Sequence, residues 1–88
     1  MSLMSGKFSS LPGEIYMLHI LHNIGATSPE RALTLEEIAR WTAMDPLEAE
    51  INLRKLLKDR YISVEETLGV KRYFVTADGI RKVLSMYS

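Results

Sequence analysis

The chain has 88 residues, which is enough for one globular domain and too few for two separate hydrophobic cores. Hydrophobic residues make up 47% and charged residues 25%, a composition typical of a folded protein rather than of a disordered chain. The absence of cysteine excludes disulfides, thiolate metal sites and cysteine nucleophiles, and it fits a reducing, cytoplasmic location. No apolar run approaches the roughly 20 residues of a membrane span, and no signal-peptide pattern is present, so we expect no membrane association.

The zero net charge conceals a difference between the two halves of the chain. Residues 1–50 contain three basic and seven acidic side chains, whereas residues 51–88 contain eight basic and four acidic ones. This polarity predicts a basic face that can meet a polyanion while the whole chain stays neutral.

The first helix is predicted to follow a polar, flexible segment at residues 1–10, of which residues 1–3 are candidates for a cloning remnant. Pro12 and Glu14 suit its first turn, and it ends near Gly25. The helix is apolar nearly all round. One stripe is assigned to the core, and the rest predicts a partner surface formed by Tyr16, Met17, Ile20 and Ile24.

Two helix start signals follow each other closely. Thr34 and Glu37 fit a capping box, and that helix ends near residues 42–44. Asp45-Pro46 then begins a longer helix, with an apolar stripe at Ala49, Leu53, Leu56 and Leu57. Two helices joined by so short a turn predict a helix-turn-helix.

The hydrophobic period then changes from helical to alternating. Residues 61–66 and 70–75 are predicted as the two strands of a hairpin, with a turn at 67–69. Thr76 caps a last helix, whose stripe is Ile80, Val83, Leu84 and Tyr87. Gly79 within this helix suggests close packing against another element.

This order of elements resembles the winged helix-turn-helix fold of small prokaryotic transcriptional regulators of the MarR, PadR and ArsR kind. The resemblance is clearest in three stretches: Thr34–Ala39 (TLEEIA), Asp45–Ile62, and Tyr73–Gly79 (YFVTADG). With the order of elements, it covers residues 11–88. It implies an α+β domain with a three-helix core, a two-stranded β wing and a C-terminal helix. Arg60 departs from the pattern, because such regulators usually have glycine there. Arginine must then adopt a left-handed conformation or end the helix differently.

The resemblance also implies a function, namely sequence-specific binding of double-stranded DNA by a homodimeric regulator. The recognition helix, at about residues 46–59, would enter the major groove, and the wing, at about 65–72, would lie on the backbone or in the minor groove. The predicted DNA-binding residues are Glu48, Ile51, Asn52, Arg54, Lys55, Lys58, Lys71 and Arg72.

Each of these residue types suits a particular contact with DNA. Asn52 could bind adenine, Ile51 a thymine methyl and Glu48 the cytosine amino group, while the cations neutralise phosphates or read guanine. The alternative for the helix is an ordinary solvated face. The alternative for Lys71 and Arg72 is pairing with Glu65 and Glu66 across the hairpin, which would cancel the basic charge of the wing.

The predicted dimer interface combines the first and last helices. Its residues are Tyr16, Met17, Ile20, Ile24, Val83, Met86 and Tyr87. His19 and His22 lie three apart and could bind a metal, but two ligands do not make a site, so we favour a satisfied surface or interface pair. Trp41 is assigned to the core or to helix packing.

The same residues also bear on other functions. No phosphate loop, nucleophile motif or metal-ligand spacing is present, so we expect no enzyme, no catalytic residue and no cofactor. A winged helix can also be a protein–protein interaction module without DNA binding, a role that Glu48, Glu50 and Ile51 suit better than phosphate contact. A small-molecule sensor is a third possibility, and it would need a cavity at the dimer interface.

Overall fold

A computed structural model describes residues 11–87; the segment 1–10, predicted to be flexible, lies outside this range. The predicted order of elements is confirmed. In chain order they are helix α1 (Gly13–Asn23), a 3-10 turn (Pro29–Arg31), helix α2 (Leu35–Thr42), helix α3 (Pro46–Lys58), strands β1 (Ile62–Thr67) and β2 (Val70–Val75), and helix α4 (Ala77–Ser85). No helix within residues 11–87 is long and apolar enough to cross a bilayer.

Side-chain caps fix the starts of three helices. The Thr34 hydroxyl accepts a hydrogen bond from the Glu37 amide at 3.2 Å, and the Glu37 carboxylate accepts one from the Thr34 amide at 2.9 Å. Asp45 accepts from the Glu48 amide at 2.9 Å, and Thr76 caps α4 in the same way. These bonds satisfy amides that a helix N-terminus leaves unpaired, so the predicted helix starts are confirmed.

The core lies between α1, α2 and α3, and α4 and the base of the hairpin close it. Its largest fully buried side chains are Met17, Leu18, Leu21, Ile38, Leu53, Leu56, Val75 and Val83. Two of the residues predicted for the dimer interface, Met17 and Val83, are therefore wrong assignments, since neither has any exposed surface. Met17 lies one helical turn before Leu21 and shares its buried face.

The hairpin is tightly turned and firmly anchored. β1 and β2 pair antiparallel from Ile62 opposite Val75 to Thr67 opposite Val70. Only Leu68 and Gly69 form the loop, and both have a positive φ, the geometry of turns that match the strand twist. At the other end, the Leu33 and Tyr73 backbones exchange hydrogen bonds of 2.9 and 2.7 Å. These bonds fix the hairpin relative to α2 and α3.

The junction between α3 and β1 depends on unusual backbone geometry. Arg60 has a φ of +63°, so the first of its two expected solutions, the left-handed conformation, is confirmed. The Thr76 hydroxyl donates to the Arg60 carbonyl oxygen at 2.7 Å. A Cβ atom at Gly79 would lie 2.1 Å from the Tyr61 carbonyl oxygen, so the close packing predicted for this glycine is confirmed. Helix α4 is thereby held against the start of the wing.

Candidate nucleic-acid interface

Helix α3 presents an open outer face. Leu47 and Ile51 are 69% and 48% exposed, and Arg54 and Lys58 continue their line along the helix at intervals of three and four residues. Ala49, Leu53 and Leu56 are buried on the opposite side. The outer stripe is therefore apolar in its first half and basic in its second half.

Acidic side chains lie on both flanks of this stripe. On the wing side, the Glu50 carboxylate is 2.9 Å from the Arg54 guanidinium. On the α1 side, Lys55 Nζ is 3.9 Å from a Glu14 carboxylate oxygen. Glu48 is exposed on the same side of α3 as Lys55, two turns before it. Two of the three predicted cations of α3 thus have an acidic neighbour, whereas no ion pair among residues 11–87 includes Lys58.

Asn52 does not belong to the outer face, and its predicted role in reading adenine is wrong. The side chain is only 5% exposed, and its amide nitrogen is 3.3 Å from the Met44 sulfur. The Gly13 backbone packs so closely that a Cβ there would lie 3.0 Å from the same nitrogen. Asn52 therefore packs against α1 and the helix-turn-helix turn, where no base can reach it.

The wing carries Lys71 and Arg72 on opposite faces of the hairpin. In the hairpin register Lys71 lies opposite Glu66, and Arg72 lies opposite Glu65. This is the register that ion pairing across the hairpin would need. All four side chains are exposed, and none of them forms an ion pair within 4.0 Å among the described residues. The carboxylates lower the net charge of the wing, but both cations stay accessible to an anionic partner.

A groove of about 410 Å³ separates the wing from α2 and α3. Its lining combines the turn and the second strand of the wing with the two helices: Thr34, Leu35, Glu36, Glu50, Gly69, Val70, Lys71 and Tyr73. Burial raises the pKa of the Tyr73 phenol, and the nearby carboxylates of Glu50 and Glu36 raise it further. The phenol therefore stays a neutral hydrogen-bond donor at physiological pH, in a groove whose helix side is acidic.

A second candidate surface joins α1 to the end of α4. Leu84 and Tyr87 are each about half exposed, and the predicted interface residues Tyr16, Ile20, Ile24 and Met86 are partly buried. The Tyr87 hydroxyl lies 3.4 Å from His19 Nδ1, with the two rings edge to face. His19 is buried here rather than on the surface, and within residues 11–87 no group of three metal-ligating side chains is close enough to hold an ion.

Two further residues differ from their predicted places. Leu84 was assigned to the inner stripe of α4 but is exposed, because its neighbour Val83 fills the core position. Trp41, predicted for the core or for helix packing, is not in the core: it is 56% exposed and lines a shallow groove with Glu37 and Arg40. Thr42 takes the buried place beside Trp41, with its hydroxyl donating to the Ile38 carbonyl oxygen at 2.8 Å.

Solved structures with the same arrangement identify the architecture. The S. aureus MepR–DNA complex superposes with a TM-score of 0.72 at 20% identity, over 94% of this chain and 66% of that one. The DNA-binding TubR fragment of Clostridium botulinum gives 0.73 at 18% identity, over 88% and 98%. The chain has a winged-helix fold.

Other comparisons set the extent of this likeness. The transcriptional regulator SlyA matches the winged helix with a TM-score of 0.66 at 19% identity. That match covers 97% of this chain but only 58% of SlyA, so the chain spans less than two thirds of SlyA and about two thirds of the MepR chain in the DNA complex. No protein-family model and no curated protein matches the sequence significantly.

Sequence reasoning missed Leu47, the most exposed large hydrophobic residue of α3. Its spacing carried the signal, because Leu47 lies four residues before Ile51 and so shares the outer face. The same spacing rule places Asn52 on the buried face, three residues after Ala49 and four before Leu56. Polarity was an unreliable guide at both positions, and helical spacing was a reliable one.

Proposed function

We propose that this winged helix binds double-stranded DNA as a homodimeric transcriptional regulator. The observation that carries the proposal is the open outer face of α3, which the core supports from behind and no other element among residues 11–87 covers. A helix exposed in this way fits the major groove, which is wide enough to admit it. Two solved structures with this fold are a MepR–DNA complex and a DNA-binding fragment of TubR.

The available cations support phosphate contact from two elements. Lys58 on α3 and Lys71 and Arg72 on the wing are exposed and have no ion-pair partner among the described residues. The flanking carboxylates repel phosphate, so we expect modest affinity that depends strongly on salt. The predicted contacts of Glu48, Ile51, Arg54 and Lys55 stay part of this proposal.

A dimer would place two copies of α3 on one face of the duplex. The face that joins α1 to the end of α4 supports this assembly, because Leu84 and Tyr87 expose apolar surface there. Two recognition helices about one DNA turn apart would then read two half-sites. The proposed role of the protein is binding rather than catalysis. Its cytoplasmic location stays a prediction.

Salt dependence tests the proposal directly. The logarithm of the affinity for a random duplex should fall linearly with the logarithm of salt concentration, with a slope of about −0.9 for each neutralised phosphate. Replacing Lys58, Lys71 and Arg72 together by alanine should flatten the slope by about 3 for each protomer. Fluorescence anisotropy with a labelled duplex measures both slopes.

The control for this test is Arg81→Ala on α4, a cation that is exposed but paired with Asp78 and distant in sequence from α3 and the wing. It should leave the slope unchanged. Absence of duplex binding by the unmodified chain at low salt would refute the proposed function.

A protein–protein interaction module is the second candidate function. Leu47 and Ile51 favour it, because exposed apolar side chains are common in protein interfaces, and Glu48 and Glu50 are poor neighbours for phosphate. A single measurement, duplex binding at low salt, distinguishes the two candidate functions. A protein-binding module would bind no duplex even at low salt, whereas the regulator would bind it measurably.

A further inference from the structure

Resting on the proposed function, we propose that Leu47 and Ile51 recognise the 5-methyl groups of thymine in the major groove. The chain would then select its sites mainly through apolar contacts, with hydrogen bonds to base edges in a lesser role. Thymine is the base that presents an apolar group in that groove, and cytosine and uracil lack it. An exposed leucine and isoleucine match this group by their chemistry.

The position of the two side chains on α3 suits base contact. The N-terminal residues of a recognition helix are the ones that reach base edges. Leu47 is the second residue of α3, whose start is fixed by the 2.9 Å hydrogen bond from the Glu48 amide to Asp45. Ile51 follows one turn later, about 6 Å along the axis. That rise is close to two base-pair steps of about 3.4 Å each.

Three polar side chains of α3 are less well placed for base contact than Leu47 and Ile51. Asn52, the residue best suited to hydrogen-bond adenine, is buried against α1. The Glu50 carboxylate is occupied by Arg54. Glu48 lies on the flank toward α1, whereas Leu47 and Ile51 occupy the centre of the outer face. Apolar contact is therefore the main interaction that the first half of this face offers to a base.

Charge complementarity favours DNA as the occupant of this face. Arg54 and Lys58 continue the same line of side chains, so the stripe changes from apolar to basic within three turns. Such an order fits a helix whose start lies deep in the groove and whose end passes the phosphate backbone. A protein partner of the usual kind would instead bury about 800 Å² on each side.

The apolar patch is too small for such a protein interface. Its large side chains are those of Leu47 and Ile51, and Trp41, the large exposed residue of α2, lines a separate groove with Glu37 and Arg40. Charged residues border the pair on both flanks and toward the end of α3. A pair of adjacent thymine methyls is a better match to its size.

The experiment compares duplexes that differ only in the methyl group. Bound sequences are first selected from a random duplex pool, and the selected site is then made with thymine or with deoxyuridine at every thymine position. The deoxyuridine duplex should bind about fourfold more weakly for each contacted thymine, since loss of one buried methyl costs about 0.8 kcal/mol.

Variants of Leu47 and Ile51 test whether these side chains cause the preference for the thymine duplex. Leu47→Ala and Ile51→Ala should each reduce the ratio of affinities for the thymine and deoxyuridine duplexes, and the double variant should bring it close to one. Trp41→Ala, which removes an exposed apolar side chain from α2, should leave the ratio unchanged. Circular dichroism of each variant is the check that the substitution leaves the protein folded.

The results of these experiments distinguish the thymine assignment from the proposed DNA binding. Equal affinity for the two duplexes, a selected site without thymine, or an unchanged ratio in the double variant would each overturn the thymine assignment, while DNA binding itself stands. Failure to bind any duplex at low salt would instead overturn both.

Discussion

Arg60 connects α3 to β1 through a backbone conformation that L-amino acids avoid. Its φ of +63° brings Cβ close to the backbone, which costs roughly 1–2 kcal/mol relative to glycine. The hydrogen bond from Thr76 to the Arg60 carbonyl oxygen holds the junction in this geometry. Arg60→Gly should therefore raise the free energy of unfolding by about 1 kcal/mol, after the greater flexibility of glycine in the unfolded chain is subtracted.

Urea denaturation measures this gain, and Arg60→Ala is its matched control. Alanine removes the guanidinium but keeps Cβ, so it should give no comparable gain. Equal stabilisation by alanine and glycine would attribute the effect to the lost charge and contradict the backbone explanation.

Individual residues also mark where sequence reasoning succeeded and where it failed. The capping residues Thr34, Asp45 and Thr76 determine helix starts through local hydrogen bonds, so their positions could be read from the sequence. Asn52 and Met17 could not be placed by residue type, because their surroundings depend on which distant element packs against them. The close approach of Gly13 to Asn52 is a tertiary contact that no local pattern records.

At the scale of elements, the order of helices and strands was predictable, whereas the groove between them was not. Tyr73 lies where the wing meets α2 and α3, and the groove joins residues more than 30 positions apart. Hydrophobic period determines each element separately, but the meeting of Glu36, Glu50 and Tyr73 follows from the register of the hairpin and its bond to Leu33.

This groove predicts a specific dependence of stability on pH. The pKa of Tyr73 is raised above the ordinary tyrosine value of about 10, first by burial and then by Glu50 and Glu36. Above about pH 10 the unfolded chain therefore loses this proton before the folded chain does, and the free energy of unfolding falls as pH rises. Tyr73→Phe should make that fall shallower, as measured by urea denaturation at several pH values from about 9 to 11.

A second variant isolates the electrostatic part of the Tyr73 shift. Glu50→Gln removes a negative charge and releases Arg54, and both changes favour the phenolate, so the pKa of Tyr73 should decrease. Ultraviolet titration of tyrosinate, taken as the difference from the Tyr73→Phe protein, measures this pKa. An unchanged pKa in Glu50→Gln would mean that Glu50 does not contribute and that the remaining causes, burial and Glu36, raise it.

At the scale of the whole molecule, the polarity of the sequence has a structural counterpart. The basic second half contributes the end of α3 and the wing, and the acidic first half contributes α1 and α2, whose carboxylates border that surface at Glu14 and Glu36. The net charge of zero therefore says little about the local field at the outer face of α3, where exposed cations from two elements lie among carboxylates.

Leu84 tests whether two copies of the chain assemble through the face that joins α1 to the end of α4. This side chain is 54% exposed on α4, beside Tyr87, which packs on His19 of α1. If this face joins two copies, Leu84→Asp would bury a carboxylate without a partner in the dimer, and the dissociation constant should rise by at least about tenfold. Leu68→Asp, which places the same charge at the fully exposed tip of the wing, should leave the dimer intact. Sedimentation equilibrium distinguishes these results, and a monomeric unmodified chain, or equal weakening by both variants, would exclude this face as the dimer interface.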